Sequence, residues 1–523
     1  MKLLRPHIGY MNLFLGVTSG VLFFLSFPKH GIGVIAWISL VPLLFALKDA
    51  GVKEGLILGF VTGIVANIGL MYWITFVVVH YGYLPYYLGI VIMLLLAAYL
   101  SIYFAVFAAG MVYFAGKGIP RIIAAPVLWT CLEYVKSHFL TGFPWENLAH
   151  SQYLYRTLIQ VADVTGTFGI TFLIVAVNVI TFDAISNKLK GKLVWGEIAL
   201  GCCVVLIVSC YGYLKIQHIE EAGKTAEALD VAIVQGNIDQ NIKWNPRFQY
   251  ETISAYKYLS LQKQSSRSGL TVWPETAAPF FFQEENNRMR DEITSIAQTS
   301  GEWLLFGSPS YVKECDGDDD CVALLNSAFL LSPHGKVAGQ YNKVHLVPYG
   351  EFVPLRKLFP FISKLVVGVG DFRPGKGYYP LTMNRHKIGV LICYEGIFPD
   401  AGRTYKKMGA DLLVNITNDA WFGNTSAPYQ HLSMTVFRAI ETRLYIVRSA
   451  NTGISAIIDP TGRIVSKTDL FTRTALRDKV KFIHYETFYA TYGDVFTVIC
   501  MIFLLCCVLI TLKRRTGHGW RNS

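Results

Sequence analysis

Charged side chains are scarce in this chain: Asp, Glu, Lys and Arg supply 16% of 523 residues, against 53% hydrophobic residues. A purely soluble protein of this length does not carry that ratio, so membrane segments are the first expectation. Internal repeats and extended low-complexity stretches are missing, which argues against a repeat architecture. No HExxH or paired CxxC occurs, and His334 and His345 stand apart from any third ligand, so no metal is expected. A glycine-rich phosphate loop is also missing, and no cofactor is expected. The formal charge of +11 comes with no recognition motif, and its Lys and Arg sit beside apolar runs, which excludes nucleic acid as a partner. Of ten cysteines, Cys131, Cys202, Cys203, Cys210, Cys500, Cys506 and Cys507 lie inside apolar stretches and read as small hydrophobes. Only Cys315, Cys321 and Cys393 are left for chemistry.

What is present begins with apolar runs long enough for a bilayer core. They cover 8–28, 31–47, 57–79, 86–115, 121–138, 164–184, 194–214 and 492–512, which predicts eight spans. Glu133 and Lys136 interrupt the fifth, which is expected to be short, tilted or partly interfacial. Cytoplasmic loops retain the excess of Lys and Arg. Placing the N-terminus inside puts Lys2, Arg5, Lys48, Lys53, Lys117, Arg121, Lys188, Lys190, Lys192, Lys513, Arg514 and Arg515 on that side. Lys29 and Arg156 are nearly all that the opposite short loops carry. The first span lacks a small-residue cleavage site and is closely followed by the second, so it reads as a retained anchor. The expected domains are 1–214 with seven spans, 215–490 outside the cytoplasm, and 491–523 with the eighth span and a cytoplasmic tail.

Within 215–490 the hydrophobic runs shorten to strand length. Strands are predicted at 230–236, 270–274, 303–307, 326–332, 337–341, 387–393, 411–417, 444–450 and 454–458. Helical spacing or composition covers 246–265, 285–299, 397–408 and 427–441. The alternation predicts an α/β layered domain.

Three polar residues stand at or just after strand ends: Glu275 in VWPETAAP, Lys343 in YNKVHLVPYGEFVP and Cys393 in LICYEGIFPD. A thiol nucleophile needs a base for its proton and a positive group for the charge that follows attack, and this set holds both. Each residue alone is weak: such a Glu or Lys is usually surface, and such a Cys usually packing. Together, in this order and spacing, the strings resemble the Glu, Lys and Cys motifs of the nitrilase superfamily. The resemblance covers about 228–480 and implies an α-β-β-α sandwich with the cysteine at a sharp turn. Seven preceding spans, one following span, VQGNIDQNIKWNP and NITNDAWFG narrow it to a resemblance to the apolipoprotein N-acyltransferase family.

That resemblance implies a fold class of α/β: a nitrilase-like sandwich inserted before the last span of an eight-helix transmembrane bundle. It implies acyl transfer from a phospholipid, phosphatidylethanolamine, to the α-amino group of an apolipoprotein's N-terminal diacylglyceryl-cysteine. The route implied is ping-pong, through a thioester on Cys393, in a bacterial inner membrane with the catalytic domain periplasmic and both termini cytoplasmic. A monomer is expected. Glu351 is expected to orient Lys343 or act as a second carboxylate, and Glu395 to polarise its surroundings; both are otherwise ion-pair or surface charges. Trp244, Tyr394 and Trp421 are read either as pocket lining or as plain core.

Two further segments carry expectations. The apolar run 358–372 is read as a lid touching the membrane or as a buried element. The run CDGDDDC at 315–321 lacks the EF-hand pattern and reads as an acidic loop whose two cysteines can pair in an oxidising compartment. Two rivals to the transferase stand at this point: a membrane-anchored amidase or nitrile hydrolase with the same three residues, and a transporter with a large external binding domain.

Overall fold

The structure is a computed structural model that describes residues 8–190, 195–262, 269–313, 322–353 and 372–517. Nearly all of 358–372 and all of 315–321 lie outside the described residues, and with them the lid and the Cys315–Cys321 pairing. The chain divides into two compact units, one of residues 1–75, 86–215 and 492–523, the other of residues 76–85 and 216–491.

The first unit is helical. Among the described residues, five helices are long and apolar enough to cross a membrane by length and composition: Val52–Met71, Tyr86–Gly116, Thr167–Lys188, Trp195–Thr225 and Val495–Leu512. The other expected spans look different. Residues 8–28 hold the 16-residue helix Tyr10–Leu25, and 31–47 is broken into Gly33–Trp37 and Val41–Ala46. The run 121–138 is the 18-residue helix Arg121–His138, with Pro126 inside it, and 57–79 is divided between Val52–Met71, one of the five, and a short helix, Trp73–His80.

Close packing in this unit uses small residues. Gly55, Gly59 and Gly63 recur every fourth residue along Val52–Met71, and a methyl group added at Gly59 would stand 2.4 Å from the Phe104 carbonyl oxygen. The charge that interrupts the fifth run is accounted for by buried hydrogen bonding. Glu133, on the helix Arg121–His138, accepts from Trp129 Nε1 at 3.0 Å, the Leu148 backbone N–H at 2.7 Å and Thr171 Oγ1 at 2.8 Å. A carboxylate with three donors is tolerable in an apolar setting where a bare one is not.

Among its described residues the second unit holds twelve strands in two six-stranded sheets. The first sheet comprises β1 (Ala228–Gln235), β2 (Leu270–Val272), β3 (Trp303–Lys313), β4 (Val322–Leu331), β5 (Val337–Asn342) and, at its edge beside β1, β12 (Thr474–Lys481). The second runs from β6 (Leu381–Met383) through β7 (His386–Ile392), β8 (Leu412–Thr417), β9 (Tyr445–Ala450) and β10 (Ala456–Ile458) to β11 (Ile464–Lys467). β7, β8 and β9 are parallel, and every residue of β8 and β9 is buried. Near-continuous apolar runs such as LLVNIT suit parallel strands covered on both faces. Ser449 on β9 reaches the other sheet, its hydroxyl 3.2 Å from the Val272 carbonyl oxygen.

The helices Gln249–Leu261, Arg288–Ser300, Pro399–Lys407 and Ala427–Thr442 match the four predicted helical segments. The strands β6, β11 and β12 were not predicted from sequence. Cys393 falls one residue beyond β7, in the short turn Cys393–Ile397.

Candidate active site

Glu275, Lys343 and Cys393 come from separate segments, and the fold brings them together. Glu275 follows β2, Lys343 follows β5 on the same sheet, and Cys393 follows β7 on the other sheet. Strand ends position side chains well because the strands are fixed by their ladders while the ensuing turn is free to aim.

Lys343 is the centre of charge. Its ammonium, 1% exposed, stands 2.9 Å from Glu351 Oε2 and 3.7 Å from Glu275 Oε1. Asn326 on β4 divides the two carboxylates, donating through Nδ2 to Glu275 at 2.7 Å and to Glu351 at 2.9 Å. The second oxygen of Glu275 accepts from the Asn418 backbone N–H at 3.0 Å, and that of Glu351 from the Val347 N–H at 2.8 Å. Burial opposes the lysine charge, yet Glu351 and then Glu275 outweigh it and hold the ammonium well above the usual lysine range. It is charged at any physiological pH.

Cys393 is buried, and its backbone is left-handed, with φ of 52°. A non-glycine residue there carries strain, which the surroundings must offset. Glu395 does so from within the same turn. Its Oε2 accepts from the Ile392 N–H at 2.7 Å, and its Oε1 from Val344 N–H at 2.7 Å, His345 N–H at 3.1 Å and Tyr341 Oη at 2.8 Å. Burial pushes this carboxyl up to about 7 despite those donors. Burial, and next the Glu275 carboxylate, also push the Cys393 thiol well up, with Lys343 pulling the other way. A free thiolate here would lose its hydration and stand beside the Glu275 carboxylate, and both effects favour the protonated thiol. The thiol therefore keeps its proton until an electrophile is attacked.

The remaining sequence candidates separate. Tyr394 is buried with its ring 5.0 Å from that of Phe398 and 5.7 Å from His345. Trp421 is half-buried against Tyr81, ring centroids 4.8 Å apart. Trp244 is half-buried beside Lys243, whose ammonium donates to the Glu275 carbonyl oxygen at 3.1 Å. Burial brings Lys243 down to about 8. Among the described residues, no group of three or more His, Cys, Asp or Glu is placed to hold a metal ion.

Residues that sequence reasoning missed are mostly amides and a polar cluster: Asn326, Lys243, Asn418, Thr417, Asp419, His431 and Arg448. Asn418 and Asp419 lie in NITNDAWFG, a string noted for resemblance in which Trp421 alone was given a role. The available signal was its density of Asn and Asp directly after an apolar strand.

Comparison with known proteins gives the same two halves. Residues 19–180 match the apolipoprotein N-acyltransferase N-terminal domain, and residues 230–481 match the carbon-nitrogen hydrolase domain. The apolipoprotein N-acyltransferase of Geobacter metallireducens is 44% identical over 508 residues, covering 96% of each chain. That of Pasteurella multocida is 30% identical over 490 residues, covering 92% of each chain, and that of Thermotoga maritima 30% identical over 525 residues, covering 98% of this chain and 96% of its own. With likeness spanning both the helical half and the two-sheet half at nearly full length, this chain belongs to the apolipoprotein N-acyltransferase family, and its enzyme class is acyltransferase.

Proposed function

We propose that this chain moves an acyl chain from a glycerophospholipid, phosphatidylethanolamine, to the α-amino group of the N-terminal diacylglyceryl-cysteine of apolipoproteins, completing their maturation. The observation that carries the proposal is the placement of Cys393 beside the Glu275 and Lys343 pair. The names shared by relatives of nearly equal length support the acceptor; helices long and apolar enough to cross a membrane support a lipid as the donor.

In the first half, Sγ of Cys393 attacks the glycerol ester carbonyl as Glu275 takes its proton. The developing oxyanion meets the Lys343 ammonium, which Glu351 and Asn326 hold in place. Collapse breaks the ester C–O bond. The lysophospholipid oxygen leaves with the proton returned by Glu275, and a thioester remains on Cys393. In the second half the lipoprotein's α-amine loses a proton to Glu275 and attacks that thioester. An amide forms and the thiol is regenerated. Trp244, Trp421 and Tyr394 line the acyl and headgroup approach, and Glu395 holds the cysteine turn. The proposal includes eight spans, a periplasmic residue 215–490 domain in the inner membrane, cytoplasmic termini and a monomer.

Intact-protein mass spectrometry after incubation with phosphatidylethanolamine tests this. One acyl adduct mapping to Cys393, discharged by a diacylated lipopeptide with formation of the triacylated product, is expected. No adduct, or its release as free fatty acid with no acyl-lipopeptide, overturns the transferase reading.

A further inference from the structure

Cys393 has a second polar neighbourhood that the mechanism above leaves unused. β7 and β8 run parallel with Ile392 opposite Ile416, and Cys393 and Thr417 are the residues that follow this last pair. Thr417 is fully buried, and its hydroxyl lies where it favours the cysteine sulfur as an anion. The same hydroxyl donates to Asp419 Oδ1 at 2.9 Å. One O–H thus faces two acceptors.

Asp419 can release that hydrogen because it is otherwise well partnered. Arg448 donates to its Oδ2 at 2.8 Å, and His431 Nδ1 lies 3.0 Å from its Oδ1, all three side chains being buried. Burial alone raises a carboxyl, but Arg448 and then His431 bring Asp419 down to about 2, so it is an anion throughout the working range. The cluster is also tied to the cysteine's main chain. His431 Nε2 lies 3.2 Å from the Cys393 carbonyl oxygen, and Asn415 Nδ2 donates to the same oxygen at 3.4 Å. Arg448 in turn holds the Asn415 side-chain oxygen. The arrangement fixes the left-handed turn from below while leaving one hydroxyl rotor next to sulfur.

We propose that Thr417 is a catalytic residue: as Cys393 loses its proton, the Thr417 hydroxyl turns from Asp419 to the sulfur and donates to the developing thiolate. No bond to hydrogen breaks at Thr417; only the acceptor changes. Asp419, His431 and Arg448 are positioning residues that keep the rotor's resting partner charged and the cysteine carbonyl fixed. A charge-assisted donor strengthens as its acceptor ionises, so this contact favours the attacking form over the resting thiol. Threonine suits the place because its β-branch restricts the rotor while its methyl packs in the core.

The inference rests on the thiol chemistry proposed above, and its test avoids lipid. The full-length protein in detergent micelles is treated with iodoacetamide across pH, and carbamidomethylation of Cys393 is followed by peptide mass spectrometry. Thr417→Val keeps the shape and removes the donor; alkylation slower by roughly tenfold to a hundredfold, with its pH midpoint displaced upward, is expected. Thr417→Ser restores the donor and returns the rate towards that of the parent. Equal rates for Thr417→Val and the parent overturn the proposal, as does a Thr417→Ser rate as low as that of Thr417→Val, which would make the role steric. If Thr417→Val does not fold, Thr417→Ala takes its place against Thr417→Ser with the same two outcomes. Slow alkylation of the donorless variant in an enzyme that takes no acyl group from phospholipid supports the role of Thr417 while removing the donor assignment.

Discussion

Lys343 lies closer to Glu351 than to Glu275, at 2.9 Å against 3.7 Å. The carboxylate nearer the ammonium is thus not the one proposed as the base, and the two carboxylates divide the work: Glu351 secures the cation, leaving Glu275 free to exchange protons.

Glu351→Gln removes the nearer counter-charge and leaves a buried ammonium leaning on Glu275. The single-turnover rate of acyl-enzyme formation should fall on the order of a hundredfold, as for loss of one oxyanion donor. Glu351→Asp should recover part of it. Quenched-flow mass spectrometry reads both rates, and a Glu351→Gln rate equal to the parent's would show that Lys343 is held by other means.

Glu395 titrates near neutrality. Burial pushes its carboxyl up to about 7, against about 4.3 in an unfolded chain. The folded protein holds this proton over a window in which the unfolded chain has lost it. The stabilisation is complete below about pH 4 and is lost as pH rises through about 7, on the order of 3 kcal/mol in all. Infrared difference spectra should show a protonated carboxyl band fading with a midpoint near pH 7, absent in Glu395→Gln. A band in the parent that titrates near pH 4 contradicts this.

The main chain of Glu275 passes close to Gly307 on β3. An added methyl would stand 2.4 Å from the Thr276 nitrogen and 2.7 Å from the Glu275 Cα, neither of which is a flexible side-chain end. Gly307→Ala should therefore displace Glu275, cost about 1–3 kcal/mol in thermal stability, and lower the acylation rate by roughly a hundredfold. Thermal melts and single-turnover assays on one preparation separate the two effects; unchanged acylation would mean that the base tolerates the shift.

Tyr81 reaches the loop that follows β8. Its hydroxyl donates to the Ala420 carbonyl oxygen at 3.0 Å while its ring packs on Trp421. Tyr81→Phe should loosen this loop by about 1 kcal/mol and Tyr81→Ala by more, since the ring contact is lost too. Faster amide hydrogen exchange across 418–423 in the order parent, Tyr81→Phe, Tyr81→Ala is the expected result, and identical exchange in all three would dismiss the tether.

Much of the two-sheet unit was legible in the sequence because its central strands are buried on both faces: LLVNIT and YIVRSA leave little room for another reading. β12 was not legible. Of TALRDKVK only Val480 is fully buried, so the polar edge strand carries no alternation and is found only through its pairing with β1. The three motif residues stood out because acid, cation and thiol types are informative in themselves. Asn326 and Asn418 did not, since an amide's worth here lies in contacts with Glu275 across 51 and 143 positions of chain. The left-handed turn at Cys393 was expected only through family resemblance, because cysteine has no preference for that conformation. The charged fifth run reads as a defect in sequence, whereas its Glu133 is a hub for three donors.

The base and the cation stand on one sheet and the thiol on the other. A chain with only one sheet assembled has a cysteine without a partner to take its proton. The nucleophile is then an ordinary, sluggish thiol, unable to trap stray esters during biogenesis. Closure of the sandwich is thus an interlock: thiol, base and cation meet only when folding has finished, so acyl transfer cannot run ahead of it.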